Sequence, residues 1–202
     1  MSKTRLEAFS DGVLAIIITI MVLELHVPRA ASFAALRGQV PVLLGYSLSY
    51  VYVGIYWTNH HHLLGSVRRI DGRVLWANLH LLFWLSLIPF TTDWVGERGL
   101  STAPLAAYGT VLLLAAIAYL HLQNRLLVAN GPQSVLAQTR DRRDWKRPLS
   151  LLLYAAGVAA SFWLPALAVA LYVAVAVSWL VPDRRIEHHL AQRAVEPAAP
   201  DA

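Results

Sequence analysis

The chain has 202 residues, of which 57% are apolar and 14% charged, and carries a formal net charge of +5 with no cysteine. Soluble domains hold about 25% charged residues, so this balance excludes an ordinary soluble domain. The missing cysteines exclude a disulfide framework and a thiolate metal site. The excess of Lys and Arg reads as membrane topology and not as a nucleic-acid surface.

Hydropathy predicts six membrane spans and an all-α integral membrane protein. The first span covers Leu6–Leu25 and ends at Pro28. It is long enough to cross a bilayer at about 1.5 Å per residue. Arg5, Ser10 and Asp11 stand at its start, where ionisable groups in or near hydrocarbon are candidates for function or pairing. Ser10-Asp11 interrupts the apolar run and no small-x-small cleavage site follows, so this span is expected to be retained. On a helical wheel with Ile16 at zero, Phe9, Gly12, Thr19, Ile20 and Leu23 fall within about 60° of it. Ser10 and Asp11 fall about 120° and 140° away on opposite sides. The Ile16 stripe therefore faces lipid or the same stripe of other copies, and periodicity leaves both open.

The second span is Val40–His60, and the third is Val74–Trp94 with Pro89 near its far end. Trp57, Asn59, His60, His61 and His62 close the second, and Trp76, Asn78 and His80 begin the third. With Arg5, Ser10 and Asp11 these groups lie at one depth and predict an interhelical hydrogen-bond network joining spans one to three. Arg5 reads equally as a snorkelling anchor, and Trp57, Trp76, Trp84 and Trp94 as interfacial aromatics. Adjacent helical residues point about 100° apart, so His60-His61-His62 cannot converge on one ion, and no metal site is expected.

The fourth span is Pro104–Leu122. The last apolar block, Leu149–Val181, is too long for one crossing, so Pro165 predicts a break between a fifth and a sixth span. With the N-terminus inside, fourteen of the seventeen Lys and Arg fall on the inner side and only Arg29, Arg37 and Arg98 outside. That asymmetry places both termini in the cytoplasm. The expected organisation is one six-span transmembrane unit over 1–183 and a polar cytoplasmic tail over 184–202, with no internal repeat.

Arg5-x-x-x-Phe9-Ser10-Asp11-Gly12 followed by Ala15-Ile16-x-x-Thr19 resembles the first-helix signature of the transmembrane-protein-175 family of potassium channels, in its prokaryotic form. Tyr56-Trp57-x-Asn59-His60-His61, Trp76-x-Asn78 and Leu87-Ile88-Pro89-Phe90 are similar to later blocks of the same family. The resemblance covers about the first half of the chain. It implies a homotetramer of six-span subunits in a bacterial plasma membrane, with first helices lining a central pore and potassium as the permeant. Ile16 would form the narrowest apolar ring, Ile20 and Leu23 further rings, and Thr19 a hydroxyl beside the constriction. Arg5, Phe9, Ser10 and Asp11 would hold the first helix against the next two through Trp57, His60 or His61, and Asn78. No Thr-Val-Gly-Tyr-Gly loop is present, since Gly45-Tyr46 is followed by Ser47 within a helix. Selectivity would then come from stripping water at an apolar constriction. Glu24 would attract cations at the outer mouth or merely mark the interface. No cofactor, nucleic-acid partner or enzymatic reaction is expected. A proton-coupled transporter using Asp11 and the histidines as a relay is the alternative, although no inverted repeat or paired half-helix supports it.

Overall fold

The computed structural model describes residues 2–139 and 145–180, and every regular element among them is helical. The expected tail over 184–202 and the basic residues Arg140, Arg142, Arg143, Arg184, Arg185 and Arg193 lie outside the described residues.

The first helix, α1, runs over Lys3–Leu23, with the Ser2 hydroxyl accepting from the Arg5 N–H at 3.4 Å as its N-cap. A short helix, α2 (Phe33–Gly38), precedes α3 (Val40–Gly65), whose Pro41 sits in the first turn, where a missing N–H removes no helical bond. The third predicted span consists of two helices, α4 (Gly72–Ser86) and α5 (Ile88–Arg98), separated at Leu87. Pro89 explains the break: its ring nitrogen cannot donate to the carbonyl four residues back. Asp71 caps α4 by accepting from the Val74 N–H at 2.8 Å. Next comes α6 (Thr102–Asn130), which ends at Gly131 with φ of 77°, a left-handed value that favours glycine. The short α7 (Val135–Thr139) leads to α8 (Lys146–Ala160) and α9 (Pro165–Leu180). The turn between α8 and α9 ends where Pro165 opens the new helix, and Leu164 N–H donates to Ala160 O at 2.7 Å within it.

Among the described residues, four helical segments are long and apolar enough to cross a membrane: Lys3–Leu23, Val40–Gly65, Gly72–Arg98 and Thr102–Asn130. The hairpin of α8 and α9 is built from shorter helices of 15 and 16 residues. The predicted boundaries shift accordingly. The first helix stops at Leu23, short of Pro28, while the second and fourth continue past His60 and Leu122.

Packing centres on α6, which holds α4, α5 and the α8–α9 hairpin, while α1 lies against α3, α4 and α5. Tyrosines fill much of the interior between α3, α6, α8 and α9. The Tyr52 hydroxyl donates to Tyr172 O at 2.6 Å, and that of Tyr172 to Leu105 O at 3.2 Å. Ser49 Oγ lies 2.7 Å from Thr92 Oγ1 and 3.0 Å from the Tyr108 hydroxyl. The Tyr172 ring fits because Gly109 on α6 and Gly157 on α8 present no Cβ: one added at either position would run into that ring. Among the described residues, no buried side-chain nitrogen or oxygen lacks a hydrogen-bond partner, as a low-dielectric interior requires.

Candidate functional site: the two faces of the first helix

The first helix is divided lengthwise. Leu6, Ser10, Leu14, Ile17 and Met21 are buried at steps of three and four, the stripe of a helix lying on a bundle. On the other side Phe9, Ile16, Ile20 and Leu23 are 49%, 60%, 42% and 75% exposed. Gly12 and Thr19 share that open face, and the Thr19 hydroxyl donates to Ala15 O at 2.9 Å. This bond satisfies the hydroxyl proton within the helix and leaves oxygen lone pairs on the exposed side.

What holds the buried stripe is a chain of polar contacts through three helices. The Ser10 hydroxyl donates to Leu6 O at 2.8 Å. A carbonyl only accepts, so the Ser10 oxygen must accept from its other neighbour, Asn78 on α4, whose Nδ2 donates to it at 2.9 Å. That fixes the orientation of the Asn78 amide and turns its Oδ1 toward His60 on α3, 2.7 Å away. His60 Nε2 must therefore carry the proton it donates. Ser10 and Asn78 are fully buried and His60 is 2% exposed. The run His60 to Asn78 to Ser10 to Leu6 has one direction and stops at a backbone carbonyl.

Asp11 makes a separate contact. Its Oδ1 accepts from the Trp57 indole N–H at 3.0 Å, again joining α1 to α3, with both residues on an exposed edge. The Trp57 ring is also 6.1 Å from His61, centroid to centroid.

Other predicted members stand apart. Arg5 and Phe9 are exposed and neither side chain enters the hydrogen-bonded chain. Each falls on the open face of α1, with Ile16 and Ile20. His61 contributes ring contacts with Trp57 and His62. Asn59 turns back on its own helix, donating to Ile55 O at 2.9 Å. His80 faces α6 instead of α3. Its Nε2 accepts from the Trp84 indole at 2.9 Å, and its ring meets His121 edge-on at 6.3 Å. An indole N–H can only donate, so the proton of neutral His80 sits on its other ring nitrogen. Among the described residues no group of three or more His, Asp or Glu is placed to hold a metal ion.

Two features were not anticipated. One is the tyrosine interior, whose residues are scattered over four helices with no shared motif. The other is Asn130 at the end of α6, which clamps the loop between α3 and α4. Its Oδ1 accepts from the Arg68 and Arg69 N–H groups at 3.0 and 2.9 Å, and its Nδ2 donates to Arg69 O at 3.0 Å.

Residues 5–89 match the family described as endosomal/lysosomal potassium channel TMEM175. Potassium channel HX13_20290 of Chryseobacterium sp. (strain P1-3) is 50% identical over 192 residues, which cover 95% of this chain and 100% of that protein. The chain belongs to the TMEM175 family. Potassium channel B446_29190 of Streptomyces collinus is 35% identical over 123 residues, 57% of this chain and 60% of that one. The fold is similar to the crystal structure of a lysosomal potassium-selective channel TMEM175 homolog from Chamaesiphon minutus, with a TM-score of 0.75 and 26% identity over 89% of this chain and 96% of that chain. The stretch matched to the TMEM175 family contains both faces of α1 and all of Ser10, Asp11, Trp57, His60 and Asn78. The tyrosine packing of α6, α8 and α9 lies beyond it.

Proposed function

We propose that this chain is the subunit of a potassium-permeable cation channel, a homotetramer of six-span subunits in the bacterial plasma membrane with its basic end cytoplasmic. One observation carries the reading: a helix long enough to span a membrane is held to its own bundle by one buried stripe, apolar except for the hydrogen-bonded Ser10, and leaves Phe9, Ile16, Ile20 and Leu23 exposed. The names of the relatives, both potassium channels, support the choice of ion.

In this reading the open faces of four α1 helices meet around the axis. Ile16 forms the narrowest ring, with Ile20 and Leu23 as wider rings toward the outer side. The Thr19 oxygen offers one polar contact between them. An ion passing an apolar ring sheds part of its hydration shell, and potassium holds its water less tightly than sodium, so it crosses with the smaller penalty. Glu24 lies in electrostatic range of Asp93, with Glu97 and His26 nearby. These carboxylates would raise the local cation concentration at the outer mouth. Residues 1–183 form the channel unit, and no catalytic reaction, cofactor or metal is assigned to it.

The Ser10–Asn78–His60 chain serves as a positional clamp. A proton relay through it would have to pass an amide and leave through the Leu6 carbonyl, neither of which exchanges protons readily. Asp11, bonded to a donor-only indole, is not joined to it. These contacts favour passive conduction over the proton-coupled transporter.

The test is current recording from purified protein in planar bilayers under potassium, sodium and proton gradients. Ile16→Asn should raise conductance and reduce discrimination between potassium and sodium, while Asp11→Asn should retain potassium current. Unchanged permeation in Ile16→Asn would remove Ile16 as the barrier. Loss of all ion flux in a folded Asp11→Asn variant would favour the relay.

A further inference from the structure

The foot of α1, the loop from α3 to α4 and the end of α6 enclose an open crevice of about 470 Å³ at the basic end of the bundle. Lys3, Arg68 and Arg69 line it, against a single carboxylate, Asp71. That carboxylate is already engaged in capping α4 through the Val74 N–H. Lys3 makes a loose, exposed pair with Glu7 at 3.7 Å. The guanidinium groups of Arg68 and Arg69 are exposed and make no hydrogen bond or ion pair among the described residues.

The loop that carries these arginines is held from below. Asn130 takes both of their backbone N–H groups and returns a bond to Arg69 O. The amide thus fixes the backbone and leaves both side chains available, so less freedom is lost when they close on an anion. The rest of the lining is Ser2 with the apolar side chains of Ile70 and Ala129.

We propose that this crevice binds the phosphate head group of an anionic glycerophospholipid, with its glycerol and first acyl carbons against Ile70 and Ala129. Arginine recognises phosphate through planar paired donors. Basic pockets between membrane helices at the head-group level are suited to such lipids. Ile70 and Ala129 distinguish a lipid from free phosphate, which would gain nothing from apolar side chains. The assignment rests on local geometry and is independent of where the pore lies.

The full chain, purified in a neutral detergent, is titrated with dioctanoyl-phosphatidylglycerol, dioctanoyl-phosphatidylcholine and inorganic phosphate. Bound lipid is read by native mass spectrometry and by the shift in thermal unfolding. Phosphatidylglycerol should bind at least tenfold more tightly than the other two. Replacing both loop arginines, Arg68→Gln with Arg69→Gln, should weaken it about tenfold or more. Arg98→Gln at the opposite end should leave it unchanged. Lys3→Gln, on another element, should weaken it several-fold and stands in if the double variant does not fold. Equal binding of phosphatidylcholine, or undiminished affinity in the double variant or in Lys3→Gln, overturns the proposal. Inorganic phosphate binding as tightly as phosphatidylglycerol overturns the assignment to a lipid.

Discussion

Replacing Asn78 with leucine removes the centre of the contact that joins three helices while keeping a side chain of similar size. Two interhelical bonds disappear, to Ser10 at 2.9 Å and to His60 at 2.7 Å. Bonds of this kind within membrane proteins average about 0.6 kcal/mol and reach about 1.7. The larger effect is the His60 N–H, left buried with no acceptor, which costs about 1–3 kcal/mol. Together these give about 2–4 kcal/mol of destabilisation. Ser10→Ala should cost about 1–2 kcal/mol, because it leaves the Asn78 amide short of an acceptor. Combined with Asn78→Leu, it should add almost nothing: the Ser10 hydroxyl would by then serve only Leu6 O, a bond within its own helix. The double variant should therefore be more stable than the sum of the two losses implies by about 1 kcal/mol. Dodecyl-sulfate-driven unfolding of the purified protein in neutral micelles, followed by tryptophan fluorescence, gives the three values. An Asn78→Leu variant within about 0.5 kcal/mol of the parent, or strict additivity in the pair, would show that the polar chain does not hold α1 in place.

Gly157→Ala places a methyl group against the Tyr172 ring and should cost about 1–3 kcal/mol in the same unfolding assay. In Gly109→Ala the nearest obstacle is the Tyr172 hydroxyl, so adding Tyr172→Phe should recover part of that loss, whereas the parent chain is only weakened by Tyr172→Phe. Asn130→Ala releases the backbone of the loop between α3 and α4. Hydrogen exchange at the Arg68 and Arg69 amides should accelerate by about tenfold or more while α4 keeps its protection, and unchanged exchange would mean that the loop is held by something other than Asn130.

Much of α1 was legible before any coordinates. A wheel of about 100° per residue separates Ser10 from Ile16, and the structure buries the one and leaves the other open. Pro165 marked the turn between α8 and α9 because proline opens a helix more readily than it continues one. Pro89 carried the same signal, yet the break at Leu87 was missed: hydropathy runs unbroken through it and reports only that 72–98 is apolar enough to span.

Partner choice between helices is another matter. His60, His61 and His62 are adjacent in the chain, and only the rotation of α3 against α4 turns His60 toward Asn78 and leaves its neighbours exposed. The same packing swings His80 to Trp84 and His121, although its position in the chain suggests the company of His60. The interlocked tyrosines and the Asn130 clamp join residues about 60 to 120 positions apart and leave no periodic trace. Hydrophobic periodicity is a property of one helix and tells which side is greasy. The relative rotation and depth of two helices are set by how their side chains interlock, and that information exists only once the helices have met.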